Sequence, residues 1–406
     1  MAPVPLRRNR EFVLLQIGQF LSNAGSQATS IAYPLLALAL THSAVRAGLV
    51  SFARTIPIAL FAIPAGLAAD RWKRRGLMIS ADVLRLAAIG SLALSLAVGD
   101  VPFWVLPCVA FVEGVGSTVF NAAQPGALRA VVPTEQLPEA AGAQSGRTAA
   151  VRIVGPPLGG ALFEAGRALP FLADAVSYVC STASLLLMRT HFQESRAPDQ
   201  ASARRRAAEG LAFTWRQPFL RTTAFLYGLL NVTALGLLFC IVVIGEDEGL
   251  SGGVIGLLTG IFAGSVVVGS FVSRFVRAAL SVHAVLILEV WAWLGCAVFL
   301  VWPRAVVLAV GLVPVGLAVP STDSVVNGYR MAVTPDRLLG RTESVRSAIA
   351  LSAASLAPLV AGALLQHSTP RWTVACFTLW ALALAVWATA SRALRAPPPL
   401  RGAAAA

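Results

Sequence analysis

Residues 66–75 read Gly-Leu-Ala-Ala-Asp-Arg-Trp-Lys-Arg-Arg, and five of the last six are charged. The fifteen residues before them, Ser51–Ala65, are nearly all apolar. The contrast matters because only 13% of the 406 residues are charged and 57% are hydrophobic. A soluble domain carries about a quarter charged residues. Half that share, with apolar runs of about 20 residues recurring along the chain, makes it a membrane protein of many helices. The charged stretch is then a loop between two spans.

Working outward from that loop, charge, Pro and Gly divide the chain into twelve spans. They lie near 12–40, 46–69, 76–98, 102–124, 143–165 and 169–189, then 219–245, 252–273, 281–301, 304–327, 343–366 and 370–391. The run that starts after Arg7-Arg-Asn-Arg-Glu11 extends to about Leu40. It is too long for a signal-peptide core, so it reads as a retained first span. The net charge of +13 does not point to nucleic acid, because the arginines punctuate apolar runs instead of forming one solvated face. Of the 32 Lys and Arg residues, 24 fall in the termini and loops on one side of the membrane and four in loops on the other. That bias places both termini in the cytoplasm. The five cysteines are scattered through apolar runs, with neither a disulfide framework nor metal spacing.

The chain also repeats. Gly66, Asp70, Arg71 and Arg74 recur as Gly269, Ser273, Arg274 and Arg277. Further on, Pro133 and Leu137 recur as Pro335 and Leu339, and Pro156 with Gly160-Ala-Leu162 as Pro358 with Gly362-Ala-Leu364. The shift is near 200 residues throughout, so the two six-span halves share one orientation. The expected domains are a six-helix half over 1–189, a cytoplasmic connector with an amphipathic helix over 190–218, a second half over 219–392 and a disordered tail over 393–406.

This pattern resembles the major facilitator superfamily, whose loop between spans 2 and 3 carries G-x-x-x-D-R-x-G-R-R; Lys73 stands where the last glycine is usual. Gly155-Pro156-Pro157-Leu158-Gly159-Gly160 resembles the family's antiporter motif in span 5, with Val151 in place of its first glycine. Glu113-Gly-Val-Gly116 occupies the place of Q-G-x-G in proton-coupled members, whose arginine is Ala110 here. The wording of span 1 and of these motifs resembles the macrolide-efflux and enterobactin-export branch. The resemblance implies an all-α fold of twelve helices in two parallel halves, with Gly66, Asp70, Arg71, Arg74 and Arg75 as a cytoplasmic gate. It also implies that Gly155, Pro156, Pro157, Gly159 and Gly160 shape span 5 for rocking; ordinary tight packing is the simpler reading of the same residues.

Polar residues inside the spans are the candidate working parts. Span 1 carries Gln16, Gln19, Asn23 and Gln27 at helical spacing, span 4 carries Asn121, span 7 Asn231 and span 10 Asn327. With Arg54 they are expected to line a substrate cavity; the amides alternatively join helices by hydrogen bonds. Glu113 is the first candidate for a proton-coupling carboxyl, Asp323 the second and Glu289 a third, because a buried carboxyl can be neutral in one state and ionised in another. A permanent pair between Glu113 and Arg147 or Arg152 is the alternative. Arg54 could bind an anion, face a vestibule or snorkel. Asp82 and Arg85, at i and i+3, read as a local pair.

These readings imply a secondary transporter, most simply a proton-coupled antiporter that exports drugs, secondary metabolites or siderophores by alternating access. Uptake, lipid flipping and a non-transporting receptor are the alternatives. The expected partners are the small-molecule substrate, protons and the bilayer, without nucleic acid, cofactor or metal, and the monomer is expected to suffice. No catalytic constellation or phosphate-binding loop is present, so an enzyme is not expected.

Overall fold

Asn9 opens the first membrane helix. Its side chain accepts from the Phe12 N–H at 3.2 Å and donates to the Val131 carbonyl at 2.8 Å, so one residue caps a helix and ties it to another. In the computed structural model, residues 5–99, 101–190, 192 and 203–395 are described, and every regular element among them is helical. The first six long helices are α1 (Arg10–Thr41), α2 (Ala44–Arg71), α3 (Arg74–Val98), α4 (Val105–Val131), α5 (Leu137–Ala165) and α6 (Leu169–Leu187). After α7 (Ala203–Arg216) come α8 (Pro218–Asp247), α9 (Gly252–Ala279) and α10 (Val282–Ala292), which continues as a 3₁₀ segment over Trp293–Leu300. Then follow α11 (Ala305–Gly311), α12 (Val313–Val333), α13 (Asp336–Ser355), α14 (Ala357–His367), α15 (Pro370–Ala390) and the short α16 (Arg392–Arg395).

Ten of these helical stretches are long and apolar enough to cross a membrane. In α1 and α5 the length is present, but amides in one and Pro, Gly and Arg in the other dilute the apolar character. With them, the twelve expected spans each coincide with a helix or a pair of abutting helices. Span 10 breaks at Leu312 and span 11 at Leu356, in both cases shortly before a proline (Pro314 and Pro358) that cannot donate to the preceding turn.

Two units form by contact: residues 1–199 with 245–260, and residues 200–244 with 261–406. In the first, α2 packs on α4, α3 on α4 and α6, and α1 on α5 and α6. An apolar core of Phe12, Leu15, Met78, Phe120, Leu185 and Met188 closes one end. Charged residues clamp the end of α6 there: Arg75 donates to the Leu186 carbonyl at 2.8 Å and Arg74 to that of Phe192 at 3.3 Å. Glu11 meets the backbone N–H groups of Arg189 and Thr190 at 3.1–3.2 Å. Slight burial would raise the Glu11 carboxyl, but these N–H groups outweigh it and hold the group below its ordinary value.

In the second unit α10 packs on α12 and α15, and α7 on α13. The amphipathic helix expected in the connector is α7, with Leu211 and Trp215 exposed and Phe219, already in α8, buried against Tyr329. The Arg204–Arg206 side chains lie outside the described residues. Residues 393–395 depart from the expected tail: they belong to α16, where Leu394 is buried and Arg395 donates to the Thr389 carbonyl at 2.8 Å. Burying Leu394 gives this turn an apolar anchor that composition alone did not reveal. Residues 396–406 lie outside the described residues.

Candidate functional site

Within the first unit, α2 and α4 meet where α4 has no side chain. A Cβ on Gly114 would stand 2.3 Å from the Arg54 carbonyl oxygen, so glycine is what allows the two backbones this close. The approach brings Arg54 onto Glu113, eight residues or about 12 Å into α4. Nε and Nη2 of Arg54 donate to the two carboxylate oxygens at 2.8 and 3.0 Å, a bidentate pair. Nη2 also donates to the Ser26 carbonyl on α1 at 2.7 Å, and the guanidinium lies 5.7 Å from the Tyr33 ring centre.

Gly25 does the same for α1 and α6, since a Cβ there would stand 2.4 Å from Asp174 Oδ1. Asp174 is wholly buried, and its hydrogen-bond partners among the described residues are hydroxyls: Thr29 and Ser177 at 3.1 Å, Tyr178 at 3.2 Å. The Tyr178 hydroxyl also lies 2.9 Å from Ser26 Oγ and 3.4 Å from Glu113 Oε1, so it bridges two carboxyls.

Further along α6, Ser181 donates to Asp82 Oδ2 at 2.6 Å, and Asp82 pairs with Arg85 one turn on. Arg85 lies over the rings of Tyr178 and Phe120, at 4.4 and 4.9 Å. Its stem runs where a side chain on Gly116 would be, 2.6 Å from the would-be Cβ. Three carboxyls, two guanidiniums and a tyrosine thus form one connected network across α1, α2, α3, α4 and α6.

The sequence-level candidates fall into several groups. Glu113 and Arg54, singled out for different tasks, are partners. Arg147 instead donates to Gln16, at 2.7 Å to Oε1, and Arg152 is exposed. Asp82 and Arg85 pair as their spacing indicates. Gln19 is buried and accepts from Gln124 at 2.8 Å, while Asn121 is exposed and reaches Ser117 at 3.3 Å. Asn23 and Gln27 are half-buried, and Asn231 is exposed and donates to its own helix at the Tyr227 carbonyl.

Gly155 and Gly159 lie against Gln27 and Ala28 of α1, while Gly160 and Pro156 meet Gly252 and Gly256 of α9; each close contact needs a residue without a side chain. Pro157 joins this face, with Gly260 near its ring. In the loop motif, no described residue lies within 4 Å of where a Cβ on Gly66 would be, and Arg71 is exposed. The Asp70 side chain lies outside the described residues.

In the second unit, Glu289 is buried next to Tyr227, Thr322 and Asp323, whereas Asp323 itself is exposed and faces Arg346 and Glu343. Asn327 accepts from Arg330 at 3.3 Å. Asp174 and Tyr178 escaped the sequence reading. Their signal was an acid and a tyrosine at i and i+4 in the otherwise apolar span 6.

A family model described as transmembrane secretion effector matches residues 1–398, nearly the whole chain. The chain belongs to that family, within the major facilitator superfamily. It is 30% identical over 244 residues to the multidrug efflux pump Tap of Mycolicibacterium fortuitum, a match covering 55% of this chain and 56% of that one. It is 25% identical over 180 residues to macrolide efflux protein A of Streptococcus pyogenes, covering 44% of each. The chain therefore spans about half the length of the curated relatives it matches. A bacterial homologue of the iron transporter ferroportin, solved in its inward-facing state, superposes with a TM-score of 0.74 over 95% of this chain and 99% of that one, at 18% identity. That likeness shows the fold. The family match and the membrane-length helices make this chain a multi-span membrane protein of that superfamily.

Proposed function

We propose that the protein is a proton-driven exporter of small amphipathic compounds, working by alternating access from a cell membrane with both termini in the cytoplasm. The observation that carries this reading is the connected network of three carboxyls, two guanidiniums and Tyr178 among spans 1, 2, 3, 4 and 6, with Arg54 partly exposed and the others buried. A charge at the bilayer centre costs about 2.5–3.5 kcal/mol on insertion scales, so such residues are retained for use. The names of the efflux relatives support export as the direction and drug-like compounds as the cargo.

In this reading the Arg54–Glu113 pair is a latch. A proton on Glu113, or one shared through Tyr178 with Asp174, weakens its hold on Arg54 and frees α2 to move against α4. The Gly66–Arg75 loop gates the cytoplasmic side, and the α5 glycines let that helix rock. The monomer suffices.

The test uses ethidium as probe. Cells expressing the protein should accumulate less ethidium than controls, and an uncoupler should remove the difference; greater accumulation would favour uptake. In inverted vesicles Glu113→Gln should lose pH-gradient-driven transport while ethidium binding persists, and unchanged transport would eliminate Glu113 as the coupling carboxyl.

A further inference from the structure

We propose that Glu289 is a second proton-binding site, set in the other unit and built from Glu289, Tyr227, Thr322 and Asp323. The argument begins from what each intramembrane carboxyl touches. Both oxygens of Glu113 are taken by Arg54, Asp82 has Arg85, and Asp174 is ringed by three hydroxyls. Glu289 is 3% exposed, and its Oε2 makes no hydrogen bond among the described residues. The buried hydroxyls of Tyr227 and Thr322 lie beside it, Thr322 within interaction range of both Tyr227 and Glu289. Yet among the described residues neither hydroxyl makes a well-formed hydrogen bond, nor does the indole nitrogen of Trp293 one helical turn on.

Among the described residues no cation compensates it. From α8 it is faced by Tyr227, and from α12 by Asp323, which adds negative charge. On its own span, His283 lies about 9 Å back along the helix, beside α16 with Arg392 and Arg395, and Cys296 lies about two turns ahead. On α15, Thr389 bonds the Trp291 indole at 3.1 Å, but Arg371 and Cys376 lie 18 and 13 residues away from it, about 27 and 20 Å. Arg346 and Glu343 of α13 act on Asp323. An unpaired carboxylate removed from water among apolar atoms is the costliest of these arrangements, and the group avoids it by neutralising. A carboxylic acid supplies one O–H donor, which a neighbouring oxygen can accept. Glu289 and the Tyr227 and Thr322 hydroxyls beside it are buried, which suits a proton and not a drug-sized cation.

Asp323 provides the way in. It is exposed and close enough to act on both Tyr227 and Glu289, so a proton taken up at Asp323 has a short way to Glu289, with the Thr322 and Tyr227 hydroxyls as relays. Proton binding at Glu289 stands on this geometry alone; its part in transport rests on the proton-driven reading above.

Infrared difference spectra of the full-length protein in lipid, recorded as pH is changed, test the site directly. A carboxylic-acid C=O band should vanish in Glu289→Gln, shift in Glu289→Asp and persist in Glu113→Gln. A spectrum unchanged by both Glu289 variants would overturn the proposal, as would a band removed only by Asp174→Asn. Gln is isosteric with the neutral acid, so Glu289→Gln should keep its thermal midpoint; if it does not fold, the Asp variant's shift decides. In proteoliposomes with ethidium as probe, Glu289→Gln should bind ethidium without moving protons. Wild-type protein that shows the Glu289 band yet moves no protons with ethidium would refute the proton-driven reading and leave the site standing.

Discussion

Arg54 and Glu113 stand 59 positions apart in sequence and share two hydrogen bonds inside the membrane. Removing Arg54 leaves Glu113 buried without its cation, which costs about 3–5 kcal/mol, whereas removing both is often close to neutral. Arg54→Gln should therefore lower the thermal midpoint sharply, Glu113→Gln less, because Arg54 is partly exposed and keeps the Ser26 carbonyl, and the double variant should recover most of the loss. A double-mutant cycle by thermal unfolding checks this, and additive losses would mean the two do not interact. Tyr178→Phe should cost about 1 kcal/mol by the same measurement, because interhelical hydrogen bonds in membranes are individually modest. At this scale sequence reading went part of the way. The Asp82–Arg85 pair was legible because helix geometry sets the i, i+3 distance. The partner of Glu113 was not, because that depends on which helix lies opposite.

Helices meet here at glycines, and what each glycine faces decides what replaces it. Gly114→Ala would push a Cβ to 2.3 Å from backbone, the Arg54 carbonyl, which cannot yield without moving α2 off α4. Gly126→Ala would meet the Arg74 guanidinium at a similar distance, the mobile end of a long side chain. The first should cost about 1–3 kcal/mol, the usual price of overpacking, and the second should be nearly silent in the same thermal assay. The joint between α1 and the end of α6 has a pH dependence of its own. The Glu11 carboxyl is held below its ordinary value, so its contribution is present at neutral pH and is lost as pH falls through that lowered range. Wild type should be slightly more stable than Glu11→Gln at pH 7, and the two should converge in acid. Parallel curves would remove Glu11 from the joint. The glycine and proline run in α5 was legible as a motif, but its neighbours, Gln27 and Ala28 on one side and Gly252 and Gly256 on the other, were not.

For the whole molecule, Gly66 is a useful probe because no described residue lies within 4 Å of where its Cβ would be. Gly66→Ala should leave the thermal midpoint unchanged yet slow ethidium efflux, if the loop closes against a neighbour in another state of the cycle. Normal efflux would leave the loop's arginines as an orientation signal and as the clamp on α6. By itself, the sequence determined the helical membrane class and the family. Those follow from composition and from short motifs, which act over tens of residues and need no knowledge of packing. Tertiary structure alone decided that Arg54 serves Glu113, that Tyr178 joins Glu113 to Asp174, and that Glu289 sits without a cation among the described residues. Those facts depend on which helix faces which, and this is set by close contacts between segments far apart in the chain. In lipid, where apolar faces are nearly interchangeable, the sequence states that preference only through small residues whose partners it does not name.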